Sequence, residues 1–150
     1  MTRPRVAFFS FSSCEGCQLV VLTIEEQLLE LAKLIDIVSF REAMSEKSED
    51  YDIAFVEGSI TTTSEIERIK KIRDTAKIVI ALGACATIGG INCLKNQFEM
   101  DKVKDIVYGK MADNYDTIPA RPIESVIKVD YWIQGCPIDK DEFIEVTKAI

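Results

Sequence analysis

Histidine is absent from all 150 residues. That absence removes Ser-His-Asp and Cys-His catalysis, imidazole ligation of zinc and most imidazole proton shuttling. Any chemistry here must rest on cysteine, on carboxylates or on a cofactor. Long apolar runs are missing as well. The longest, 20–24 and 78–86, fall far short of the roughly 20 residues that cross a bilayer, so direct membrane insertion is not expected. No small-residue cleavage site follows Arg3-Pro4-Arg5, and a secretory signal is not expected either. Basic charge is scarce: 18 Lys and Arg against 25 Asp and Glu leave a net charge of −7, and the basic residues are scattered. Nucleic-acid binding depends on neutralising phosphates, so nucleic acid is not an expected partner. Neither G-x-G-x-x-G nor G-x-x-x-x-G-K-[ST] occurs, which argues against a nucleotide or flavin phosphate site.

What remains has the balance of a folded globular chain, 47% apolar and 29% charged, and the length suits one domain spanning 1–150. Residues 5–11 form a short β-branched and aromatic run that a Ser/Cys/Gly cluster ends, as a buried strand would. From about 18 to 33 the spacing of Leu19, Leu22, Ile24, Leu28, Leu31 and Ala32 predicts one helix, with Glu25, Glu26 and Glu30 towards solvent. Strands are expected at 36–40 and 51–57. Thr61 to Glu65 then supply capping residues for a helix to about 75, with Ile66, Ile69 and Ile72 inward and Glu67, Lys70, Lys71 and Arg73 in water. The apolar run 77–82 suits a central strand. A glycine-rich segment, a helix near 101–110, a fifth strand at 125–133 and a helix from Asp139 complete the chain. Strands alternating with helices across short connections predict an α/β, flavodoxin-like three-layer domain with a parallel sheet.

Five cysteines in an intracellular-looking chain are not expected as disulfides. Cys14 and Cys17 follow the first strand, Cys85 follows the central one and Cys136 follows the last, in the pattern C-x2-C-x67-C-x50-C. Open α/β sheets bind ligands beyond the carboxyl ends of their strands, so all four thiols are expected on one rim. Gly16, Gly83 and Gly135 accompany them, where backbone must come close to a bulky group. Four thiolates are the usual complement of a [4Fe–4S] cube. The residues alone leave two alternatives open: a thioredoxin-like dithiol at Cys14 and Cys17, and a tetrathiolate zinc site. Cys93 has no such placement and reads as structural. Glu57, ending the third strand on the same rim, reads either as a solvated strand end or as a group that handles protons or meets a partner.

With those residues in view, the chain resembles the small subunit of [NiFe]-hydrogenases and the related 20-kDa subunit of complex I. The likeness rests on the motifs at 13–18 (Ser-Cys-Glu-Gly-Cys-Gln), 56–59 (Val-Glu-Gly-Ser), 83–86 (Gly-Ala-Cys-Ala) and 127–137 (Ile-Lys-Val-Asp-Tyr-Trp-Ile-Gln-Gly-Cys-Pro). It implies that Cys14, Cys17, Cys85 and Cys136 ligate one proximal [4Fe–4S] cluster. It further implies a partner large subunit with a Ni–Fe centre that performs the catalysis, and Glu57 at the interface near the cluster. The Cys14 and Cys17 spacing resembles hydrogenases, and the wording around it resembles their cytoplasmic, multi-subunit members. The motifs of a second and third cluster do not follow, so the resemblance implies a further redox subunit, with iron–sulfur or flavin cofactor, as acceptor. Leu19 to Leu22 and the segment 87–94 are candidate partner-facing surfaces. The alternatives are a relay of hydrogenase-like or complex I-like type without hydrogenase activity, and a flavodoxin-like binding domain with zinc or structural cysteines.

Overall fold

The sheet is built from five short runs, the three central ones largely buried on both faces. The five are β1 (Arg5–Ser10), β2 (Asp36–Phe40), β3 (Ile53–Glu57), β4 (Ile78–Leu82) and β5 (Tyr131–Ile133). In this computed structural model, which describes residues 3–150 apart from the side chain of Glu26, all neighbouring strands are parallel and the order is β2-β1-β3-β4-β5. That is the flavodoxin-like order 2-1-3-4-5. Met1 and Thr2, from which the N-terminus was read, and the Glu26 side chain, expected in solvent, lie outside the described residues.

Phe8, Phe55 and Ile80 are in register across β1, β3 and β4. They point to one face, where α1 (Gly16–Leu22), α2 (Glu26–Leu34) and α6 (Lys140–Ala149) bring Val21, Leu31, Phe143 and Ile144 against them. Phe8 stacks on Phe40 at 4.2 Å and on Phe55 at 4.9 Å between ring centroids. Each such pair is worth about 0.5–1.5 kcal/mol beyond its burial. The residues between them, Ala7, Ala54 and Ala81, face the other side. On that side α3 (Thr63–Thr75) adds Ile69 and Ile72 to the core. Thr62 and Glu65 form a complete capping box at the start of α3.

Three elements depart from the sequence expectation. The single helix over 18–33 is two, because Thr23 turns its hydroxyl onto Val20 O at 2.8 Å and Glu25 takes a positive φ of 43°. A hydroxyl bonded back to the preceding turn competes with helix continuation. Within α1, Val21 is fully buried, so of the apolar run only Leu19 stays exposed. The glycine-rich segment is helical: α4 (Gly83–Ile88) runs into a 3₁₀ stretch, Gly90–Gln97, before α5 (Met100–Tyr108). The fifth strand pairs only over Tyr131–Ile133. Arg73, expected in water, is mostly buried and occupies the approach to β5 instead, donating to Lys128 O and to Asp130 Oδ2 at 2.5 Å.

Candidate metal centre

The loops after β1, β3, β4 and β5 meet at the carboxyl rim of the sheet and are tied to one another. Ser12 and Ser59 exchange backbone hydrogen bonds of 3.2 and 3.0 Å. The Asn92 side-chain amide donates to Ser12 O at 2.7 Å and to Ser59 Oγ at 2.8 Å, fastening the 3₁₀ stretch to both loops. Ala84 N donates to Gly135 O at 2.8 Å, joining the start of α4 to the turn after β5. Three of these four loops carry the cysteines.

The rim thus gathers Cys14, Cys17, Cys85 and Cys136, which span most of the sequence. Cys17, in the first turn of α1, is buried, Cys85 is half-buried, and Cys14 and Cys136 are exposed. The contacts are close. A Cβ on Gly83 would stand 2.3 Å from Cys17 Sγ, and one on Gly90 would stand 2.7 Å from Cys85 Sγ. Both glycines have positive φ, 83° and 59°, so neither position tolerates a side chain on conformational or steric grounds. Cys93 stands apart: its thiol donates to Ala120 O at 3.3 Å, a structural role.

Charge and dipoles at the rim have opposing effects on the thiols. Burial, then the charge of Glu57, push the Cys17 thiol up to about 12, while the backbone N–H of Ile138 pulls it back. Burial raises Cys85 as well, followed by the neighbouring charges of Cys136, Cys14 and Glu57, against the N–H of Ile91. Cys14 thus bears on both Cys17 and Cys85, and Cys136 bears on Cys85. The amides of Ile138 and Ile91 favour the anionic forms of Cys17 and Cys85, the kind of influence that tunes a thiolate bound to iron. Among the described residues, no three Cys, Asp or Glu side chains converge closely enough to hold a single metal ion.

Glu57 is not a solvated strand end; it is 2% exposed. Its Oε1 accepts from Cys17 N at 3.0 Å, and its Oε2 accepts from Gln18 N at 3.0 Å and from Gln18 Nε2 at 3.2 Å. Gln18 is itself buried and donates also to Ser10 Oγ at 2.7 Å. Its Oε1 finds no protein partner, which in a buried amide costs about 1–3 kcal/mol. Gln18, Asn92 and the amides of Ile91 and Ile138 escaped the sequence reading. Gln18 alone left a trace there, as a polar residue opening an otherwise apolar helix.

Fold and rim together define an α/β, flavodoxin-like protein with a thiol-rich edge at the carboxyl ends of its strands. The chain belongs to the family of the 20-kDa subunit of NADH ubiquinone oxidoreductase, whose profile matches residues 14–150. It is similar to sulfhydrogenase 2 subunit delta of Pyrococcus furiosus, 33% identical over 144 residues, covering 95% of this chain and 60% of that one. It is also similar to the NAD-reducing hydrogenase HoxS subunit delta of Cupriavidus necator, 29% identical over 161 residues, covering 95% of this chain and 76% of that one. Among solved structures it matches a chain of an NAD+-reducing [NiFe]-hydrogenase in the H2-reduced state with a TM-score of 0.79 and 26% identity, covering 91% of this chain and 84% of that one. The chain spans between 51% and 76% of the length of these and other curated relatives.

Proposed function

We propose that the chain is the electron-transfer small subunit of a cytoplasmic [NiFe]-hydrogenase, holding one proximal [4Fe–4S] cluster through Cys14, Cys17, Cys85 and Cys136. The observation that carries this reading is the gathering of four thiols on one rim within a family of redox subunits. The donor set suits the group: four sulfurs are the usual complement of a cube, and each would bind its own iron, so the sulfurs need not close on a single point. A lone zinc ion instead asks for four sulfurs within about 2.3 Å of one centre. Gly83 and Gly90, where a side chain would strike Cys17 and Cys85, keep backbone bulk away from those two sulfurs.

Bound there, the cluster would supply one-electron oxidation and reduction. The chain's own residues do the rest. Cys17 and Cys85, both raised, give up their protons on ligation, so loading is favoured by higher pH. The N–H groups of Ile91 and Ile138 stabilise the anionic sulfurs so formed. A Ni–Fe large subunit performs the hydrogen chemistry against this rim, and a further redox subunit takes the electrons away. The spacing of Cys14 and Cys17, which resembles hydrogenases, favours this over a relay without hydrogenase activity.

The test is iron and acid-labile sulfide analysis of the protein purified without oxygen. The expected result is about four irons and four sulfides per chain, with iron lost from Cys85→Ser and retained by Cys93→Ser. Zinc in place of iron, or no metal, would overturn the reading.

A further inference from the structure

Helix α1 begins without a cap of its own. Glu15 occupies the N-cap position with a φ of 61° and makes no side-chain bond to the helix. The backbone N–H groups of Cys17 and Gln18, the second and third residues of α1, are instead taken by Glu57 from the end of β3, at 3.0 Å each. A cap supplied by the helix's own chain travels with the helix; one supplied by a central strand ties the helix start to the sheet. The carboxylate that does this is held in turn by the Gln18 side chain, which also reaches Ser10 Oγ at the end of β1. Gln18 therefore bridges β1 and β3 beneath the turn that carries Cys14 and Cys17. Its buried Oε1 has no partner, a cost that the two bonds its amide donates, to Glu57 and Ser10, have to offset.

We propose that Glu57 and Gln18 form a clamp that fixes the Cys14–Cys17 turn on the sheet, Glu57 as the positioning residue for Cys17 and Gln18 as its support. The clamp deepens the preceding section's proposal, since its purpose rests on Cys17 being a ligand. It is a new role for Glu57, exercised through two backbone amides rather than at a protein surface.

The experiment uses the full chain with whatever subunits accompany it, as wild type, Gln18→Met and Glu57→Leu. Amide hydrogen exchange over residues 16–19 is followed after iron is removed, and the midpoint potential and electron paramagnetic resonance spectrum are recorded on the loaded protein. Gln18→Met, which sheds the orphan oxygen together with two donated bonds, is expected to melt near the wild-type temperature while exchange at Cys17 and position 18 quickens about fivefold, the loss of one ordinary hydrogen bond, with a shifted potential and an altered spectrum. Glu57→Leu is expected to quicken exchange further and to lose iron. Should Glu57→Leu fail to fold, Gln18→Met decides alone. Wild-type exchange, potential and spectrum in Gln18→Met overturn the clamp. Quickened exchange in a protein whose wild type binds no iron upholds the clamp and sinks the ligand assignment instead.

Discussion

Gly90 carries its backbone at a φ of 59°, and a Cβ placed there would lie 2.7 Å from Cys85 Sγ, 2.9 Å from Cys85 Cα and 3.1 Å from Cys85 N. Two of those three atoms are backbone, so the clash cannot be relieved by turning a side chain. Gly109 also has positive φ, 53°, but nothing lies within 4 Å of its Cβ direction. The pair separates conformational strain from crowding of the thiol. Both Gly90→Ala and Gly109→Ala are expected to lose about 1–2 kcal/mol or more from the strained backbone. Under the proposed function only Gly90→Ala is expected to lose most of the iron, measured as iron per chain after anaerobic purification and compared with denaturation midpoints. At this scale the four cysteines were legible, because each follows an apolar run at a strand end. The partners that orient them were not. Ile91 and Ile138 act through backbone N–H groups, which no side-chain pattern encodes. Asn92 works on residues 33 and 80 positions away, and Glu57, though visible as an acid on the same rim, acts on amides 39 and 40 positions away.

Among the elements, the two rims of the sheet have separate tasks. The carboxyl rim carries the thiols, while the opposite rim is pinned by acids that lead into strands. Asp52, before β3, accepts Arg5 N at 2.9 Å and meets Lys77 Nζ at 2.7 Å; these contacts, the Arg5 amide first, hold its carboxyl below the usual range. Burial alone would raise Asp130, but the hydrogen bonds from Arg73 and Val79 N, and the charge of Arg73, outweigh it and leave the carboxyl lowered. The sign follows directly. A carboxyl depressed in the folded state contributes stability that is complete above its unfolded value of about 3.9 and disappears as pH falls through the folded value. Stability to denaturant is therefore expected to fall below about pH 4, and Asp130→Asn to show a shallower acid decline. At pH 7 that variant should lose about 1–3 kcal/mol, between exposed and fully buried ion pairs. An unchanged acid profile would remove Asp130 from the account. The same contacts explain why β5 was overread. Residues 125–133 have strand-like composition, yet Arg73 and Asp130 hold the approach, and Ile127 and Val129 are buried against the α3 face without pairing. The helix over 18–33 was overread for a related reason. Its apolar spacing persists through Thr23 to Glu25, whereas the break lies in one hydroxyl and one positive φ.

Over the whole molecule, several exposed apolar side chains lie beside the thiols in sequence. Ile88 and Ile91, on either side of Gly89 and of the Gly90 that crowds Cys85, are 67% and 73% exposed, and Leu19, two residues after Cys17, is 50% exposed. Leu94, Phe98, Val103, Ile106 and Val107 line an apolar hollow beyond them. Single exposed apolar side chains are ordinary on a monomer, but a run of them around one site marks a surface meant to be covered. Under the proposed function the cover is the large subunit, since electrons pass efficiently only if its metals approach this rim. Among the described residues no helix is long and apolar enough to cross a membrane. Ile88→Lys is expected to leave the fold within about 0.5 kcal/mol of wild type, as surface substitutions do, and to abolish co-purification with the large subunit. Leu29→Lys serves as the control: Leu29 is 69% exposed on α2, which carries no cysteine, and this variant should retain its partner. The measurement is size-exclusion chromatography of the anaerobically purified complex. If the Ile88 variant elutes with its partner as the wild type does, the large subunit docks elsewhere, and electron transfer must enter through another face of the chain.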